Sequence, residues 1–112
     1  MTTTRQHKVS RQLQKELADY FQKHGPEMTG GKMVTVTVVR ITPDLGLCRV
    51  YVSIFPSGKV EESLREIQER GGQVRLEMGK RLRNHMRHIP EFHFYLDDSL
   101  DYIDRIDDLL NE

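Results

Sequence analysis

The chain has 112 residues, 37% hydrophobic and 30% charged, with a single cysteine. That length fits one domain spanning 1–112 with its own core, and one cysteine excludes both an internal disulfide framework and a CxxC metal knuckle. Seventeen Lys and Arg against seventeen Asp and Glu give a net charge of zero, which taken as an average speaks against a polyanion partner. Residues 5–23 read as an amphipathic helix. Val9, Leu13, Leu17, Tyr20 and Phe21 recur at spacings of three and four, and His24-Gly25-Pro26 stops the pattern. Residues 33–41 are β-branched and alternating, with Val34, Val36 and Val38 on one face and Thr35 and Thr37 on the other. Pro43, Asp44 and Gly46 supply turn chemistry, and 47–55 form a second strand with Cys48, Val50, Val52 and Ile54 on one face. The short link predicts an antiparallel hairpin.

Pro56-Ser57-Gly58 ends that strand, and Ser57 is placed to cap the next helix. The following apolar stripe is Val60, Leu64, Ile67, then Val74, Met78 and Leu82. Gly71-Gly72 interrupts it, at about 1 kcal/mol per glycine relative to alanine. The stripe therefore divides into helices of about 59–70 and 72–87, ended by Ile89-Pro90. Residues 92–96 form a short third strand. Asp97-Asp98-Ser99 then opens a last helix, about 97–112, with Leu100, Ile103, Ile106, Leu109 and Leu110 on one side. The expected fold class is α+β: three strands, with the helices covering one sheet face.

Counting charge by segment reverses the first impression. Residues 1–24 carry five basic against two acidic groups, 65–90 carry seven against three, and 91–112 carry one against eight. A basic body with an acidic tail is a candidate for nucleic-acid backbone. Lys80, Arg83 and Arg87 share a helical face opposite Val74, Met78 and Leu82, and Arg75 follows the glycine break. A helix start there exposes backbone N–H groups that suit phosphate oxygens. The plainer readings are a solvated face for the cations and, for Gly71-Gly72, a corner that needs positive φ or has no room for Cβ.

The acidic tail reads as a solvated helix face that would repel RNA. The five histidines show no metal-ligand spacing, so no metal and no cofactor are expected. Ser57-Gly58-Lys59-Val60 lacks the glycine and hydroxyl of a P-loop, and no other catalytic motif is present. The aromatic residues do not pattern as an exposed stacking pair on a sheet. With no apolar run near the roughly 20 residues of a membrane span, and no apolar leader at the N-terminus, a cytoplasmic protein with no membrane partner is expected.

Several stretches, taken in order, carry a family resemblance. They are Thr42-Pro43-Asp44-Leu45 running into Arg49-Val50-Tyr51-Val52-Ser53, Gly72-Gln73-Val74-Arg75, Arg87-His88-Ile89-Pro90, and Glu91-Phe92-His93-Phe94 followed by Asp97-Asp98-Ser99-Leu100. With Arg5 and Val9 of the opening helix, the chain resembles the bacterial ribosome-binding factor A family over nearly its whole length. The resemblance implies a type II KH-like fold of order αββααβ. It also implies a kink of the form Ala-x-Gly between the central helices, where this chain has Arg70-Gly71-Gly72. Between Arg83 and Pro90 the chain is about two residues longer than the family pattern. The implied function is non-enzymatic. Such a protein associates with free small (30S) ribosomal subunits, contacts 16S rRNA, assists late maturation and 5′-end processing, is linked to cold adaptation and works alongside assembly GTPases.

On this reading the protein is a monomer that meets rRNA through Arg70, Arg75, Lys80, Arg83 and Arg87, with Lys8 and Arg11 from the first helix, and with Gly71 and Gly72 setting the hinge. Two other classes remain. One is a protein–protein adaptor acting through the acidic C-terminal helix. The other is a metal-dependent hydrolase built on its aspartates.

Overall fold

A computed structural model describes residues 4–56 and 58–97. The elements are α1 (Thr4–Thr29), β1 (Met33–Ile41), β2 (Leu47–Phe55), α2 (Val60–Glu69), α3 (Gly71–Leu82) and β3 (Glu91–Leu96). This is the α+β architecture expected, in the order αββααβ. β2 is the central strand of the sheet. It pairs antiparallel with β1 and parallel with β3. A parallel neighbour needs a long crossover, and α2–α3 supplies it.

The helices cover one sheet face. Leu13, Leu17 and Phe21 of α1, Ile67 of α2, and Val74, Met78 and Leu82 of α3 are fully buried, in one cluster with Cys48, Val50, Val52, Phe92 and Phe94. Phe21 meets Phe94 edge to face with ring centroids 5.7 Å apart. Burial pushes the Cys48 thiol up to about 12, so it behaves as a small buried hydrophobe.

α1 runs past the expected stop at His24-Gly25-Pro26. Gly25 is a packing residue there. A Cβ at this position would come within 3.0 Å of the Val34 Cβ, so glycine lets the helix lie against β1. Pro26 is accommodated near the end of the helix, where one backbone bond is lost. The actual stop is Gly30-Gly31, with φ of 70° and 103°, braced by the Thr29 hydroxyl donating to the Gly25 carbonyl at 2.8 Å. At its other end α1 is latched by the buried Gln6, whose Nε2 donates to the Ile41 carbonyl at 3.2 Å.

β1 and β2 have the expected bounds, but a bulge falls between Val36 and Val38. The inner face of β1 is therefore Val34, Val36, Val39 and Ile41, and Val38 is only half-buried. One extra residue shifts the alternation.

α3 ends at Leu82, five residues before the expected 87. Beyond it, the amides of His85 and Met86 both turn back to the Leu82 carbonyl. The chain must descend to fully buried Pro90 at the start of β3, and Met86 and Ile89 pack on the core along the way. Ser57, the expected cap, lies outside the described residues. Lys59 holds the position before α2, in the left-handed region at φ 55°. The expected C-terminal helix also lies outside them, apart from Asp97.

Candidate nucleic-acid interface

α3 turns Val74, Met78 and Leu82 to the core, which leaves Arg75, Leu76, Lys80 and Arg83 on its exposed side. The 83–89 connection folds back along that side. Between them runs an open groove of about 550 Å³, lined by Gly72, Arg75, Leu76, Gly79, Lys80, Arg83, Arg87, His88 and Ile89. Arg87 lies off the helix, so it joins Lys80 and Arg83 through the fold-back and not through helical period. Four cations and a histidine share this groove, and its lining contains no carboxylate. None of the four forms an ion pair among the described residues.

Arg75 has a second task. Its Nε and Nη2 donate to the Ile89 carbonyl at 3.2 and 3.0 Å. That clasp ties the connection to α3 and shapes the groove wall. A guanidinium has five N–H groups, so donors remain for an outside acceptor on this exposed side chain.

The kink lies at Arg70, with φ −94° and ψ 10°, which closes α2 and opens α3. Neither plain reading of the glycine pair holds. Positive φ occurs at Gly30 and Gly31 and not at Gly71 or Gly72. A Cβ at Gly71 would make only an ordinary 3.8 Å contact with Phe94, and a Cβ at Gly72 would meet nothing within 4 Å. Packing inside the described chain therefore does not require glycine at 72, whose backbone lies open at the groove. Arg70 is exposed at the same corner.

The residues offered by α1 divide. Lys8 is exposed and lines a small hollow with Val9, Gln12, His85 and Met86 beside the fold-back. Arg11 is exposed, and the fold does not bring it to the groove. Arg5, not among the expected contacts, is brought in. It lines a second hollow of about 580 Å³ with the Asp44-Leu45-Gly46 turn, and this hollow shares Arg75, Arg87, His88 and Ile89 with the first. The two form one continuous surface around the 85–89 segment. Sequence spacing could not reveal that, because α1 and the turn are joined to the segment only by the fold.

Arg81, next to Lys80, is used quite differently. Its Nε donates to Glu77 at 3.0 Å, and its Nη1 lies 2.8 Å from Asp19 and 3.4 Å from Glu16. The guanidinium also sits over the Tyr20 ring, 5.9 Å from its centre. Partial burial would pull the Arg81 pKa down, but the bonds it donates to Glu77, Asp19 and Glu16 outweigh that and push it up. The Arg81 and Lys23 contacts hold Asp19 below the usual carboxylate range. This cation locks α3 to α1 and is spent inside the fold.

Among the described residues, no three His, Cys, Asp or Glu side chains converge on a metal geometry, and no helix is long and apolar enough to cross a membrane. The sheet face away from the helices corrects one expectation. Tyr51 and Tyr95 do stack there, with centroids 5.4 Å apart and planes 29° off parallel.

The sequence profile described as Ribosome-binding factor A matches residues 5–110. The chain belongs to the ribosome-binding factor A family. Ribosome-binding factor A of Christiangramia forsetii is 45% identical over 106 residues, covering 94% of this chain and 81% of that one. The crystal structure of ribosome-binding factor A from Thermus thermophilus aligns with a TM-score of 0.67 at 24% identity, covering 81% of this chain and 94% of that one, which supports the fold. The same score and identity hold for the Thermus thermophilus ribosome-binding factor A homology model fitted into the cryo-EM map of a 30S complex, at 81% and 93% coverage. In this member of the family the corner between the central helices reads Arg70-Gly71-Gly72, with a cation beside the exposed glycine backbone.

Proposed function

We propose that this protein binds the free small ribosomal subunit by laying the α3 groove on 16S rRNA backbone, and so assists late subunit maturation, including processing of the rRNA 5′ end. The observation that carries this reading is the set of four cations, Arg75, Lys80, Arg83 and Arg87, lining one groove with no acidic partner among the described residues. Phosphate oxygens are the acceptors that such a surface lacks. Contacts of this kind position a protein on RNA shape more than on sequence. Family membership and the relative named in a 30S complex supply the partner. Arg70, Gly71 and Gly72 extend the contact to the start of α3, where Arg70 and Gly72 are exposed. Lys8 and Arg5 extend it past the fold-back, and Arg11 contributes only at the periphery. The chain acts as one non-enzymatic, monomeric, cytoplasmic unit that works alongside assembly GTPases.

The test is co-sedimentation with purified free small subunits. Lys80→Glu, Arg83→Glu and Arg87→Glu combined are expected to weaken binding by about a hundredfold while the far-UV circular dichroism is unchanged. Arg75 is left intact because its clasp shapes the groove. Undiminished binding by the triple variant would refute the assignment of this face.

A further inference from the structure

The hollow of about 580 Å³ beside the 85–89 segment differs in kind from the groove it adjoins. Val9 from α1, Leu45 from the β1–β2 turn, and Met86 and Ile89 from the α3–β3 connection meet at it. All four pack on the core and keep part of their surface open. Arg5, Arg87, His85 and His88 are exposed around them. Ligand sites enclose roughly 300–1,000 Å³ and join an apolar lining to a few placed polar groups. This hollow has that composition, and contact with phosphates alone needs no apolar floor.

The turn that forms one wall is held in shape. Leu45 lies at φ 61°, in the left-handed region, and Gly46 beside it does not. A leucine is out of place there, and such strain collects where a side chain has a task. The Leu45 amide donates to the Thr42 carbonyl at 2.8 Å, and the Glu91 amide donates to the Gly46 carbonyl at 3.0 Å. Asp44 Oδ1 accepts from the Thr42 hydroxyl at 2.6 Å and from the Gly46 amide at 3.0 Å. These bonds hold the Asp44 carboxyl below the usual carboxylate range. Among the described residues Asp44 is the only carboxylate lining the hollow, and it forms no ion pair with the cations at the rim. An acceptor that repels phosphate but receives N–H groups suits the edge of a base.

We propose that this hollow takes one unstacked nucleotide of the rRNA strand whose backbone lies along the α3 groove. The base rests on Val9, Leu45, Met86 and Ile89 with its N–H edge toward Asp44, and the flanking phosphate meets Arg5 and Arg87. The inference rests on the groove reading, because the hollow shares Arg75, Arg87, His88 and Ile89 with the groove. It goes further, because the groove follows backbone and the hollow receives a base splayed out of its stack. Adenine, cytosine and guanine carry an exocyclic amino group for Asp44 to accept from, and uracil does not. An acidic peptide is the poorer occupant, since its carboxylates would be set against Asp44.

The test uses the full chain and three fluorescein-labelled RNA hairpins. One carries a single unpaired adenosine, one an abasic residue in its place, and one an uninterrupted stem. Fluorescence anisotropy is expected to show the first bound about tenfold tighter than the other two. Leu45→Gly, which suits the left-handed backbone, should erase that preference with the far-UV circular dichroism unchanged. Uridine at the unpaired position should weaken binding about threefold, and Asp44→Asn, which keeps an oxygen for Thr42 and Gly46, should remove the difference. Lys80→Glu with Arg83→Glu lies in the groove and not in the hollow, so it should weaken all three hairpins by the same factor. Equal binding of the three hairpins by wild type would overturn the inference, and the groove reading would survive if that double variant still weakened them all. A preference undiminished in Leu45→Gly would also overturn it. So would saturation by adenosine 5′-monophosphate at the hairpin's affinity, in favour of a free nucleotide, or tighter binding of hexaglutamate, in favour of a protein partner. A full preference in a double variant that binds as tightly as wild type would refute the groove reading alone.

Discussion

Lys80 and Arg81 are neighbours in the sequence and opposites in use. Arg81 points toward α1 and is surrounded by Glu77, Asp19 and Glu16. Lys80 points the other way, into a groove with three arginines and no carboxylate. Helix geometry separates adjacent side chains by about 100°, so one helix can carry a neutralised face and an uncompensated one. The lesson is that a count of cations does not measure an RNA-binding surface; cations left without partners do. The zero net charge of the chain conceals two kinds of pairing: some acids lock the fold together, and most of the remainder lie in the C-terminal segment.

The contrast can be broken at either face. The largest effect expected is on the groove face, where the triple charge reversal weakens subunit binding by about a hundredfold, or about 2.7 kcal/mol, with the thermal midpoint moving by only a few degrees. Next comes the locking face. Arg81→Ala leaves Glu16, Glu77 and Asp19 without their shared cation and should cost about 2 kcal/mol of stability, lowering the melting midpoint by roughly 10 °C. At temperatures where that variant is folded, its subunit affinity should stay within about twofold of wild type. A smaller effect distinguishes packing from contact at the corner. Gly72→Ala should raise stability by up to about 1 kcal/mol, because it meets no obstruction and favours the helix, yet it should weaken subunit binding measured in the same titration.

The smallest effects are in pH. Asp19 is held below its ordinary value of 3.8 by Arg81 and Lys23. Its contribution is therefore complete above pH 3.8 and is lost as the pH falls through the depressed value. Acid melts of wild type and Arg81→Ala should converge below that point. Cys48 runs the other way. Its thiol is raised to about 12, so folding holds the proton that the unfolded chain releases above pH 9, and stability falls from pH 9 upward. The thiol should resist alkylation at pH 8 until denaturant is added.

Much of this was legible in sequence. The two hairpin strands have β-branched alternation and a Pro43-Asp44-Leu45-Gly46 turn, and their bounds follow directly. The corner after Glu69 shows in the glycine pair. What was not legible depends on contacts between distant residues. Gly25 reads as a helix stop until Val34 is seen against it. The bulge at Val36–Val38 leaves no mark in a run of valines and threonines. The end of α3 at Leu82 has no glycine or proline to announce it, because it is set by where Pro90 must be buried. The groove was half-readable. Lys80, Arg83 and Arg75 follow from helix period, but Arg87 and Arg5 reach it only through the fold-back, and the clasp from Arg75 to Ile89 is a tertiary bond. Tyr51 and Tyr95 lie 44 positions apart, so their stacking needed the parallel pairing of β2 with β3.

The central claim is that the groove cations are uncompensated and Arg81 is not. The most direct measurement is the salt dependence of small-subunit affinity for wild type, Lys80→Ala, Arg83→Ala and Arg81→Ala. Each phosphate contact adds close to one unit to the slope of log affinity against log salt. Lys80→Ala and Arg83→Ala are each expected to flatten the slope by about one, and Arg81→Ala to leave it unchanged. Equal flattening by all three, or no flattening by the groove variants, would contradict it.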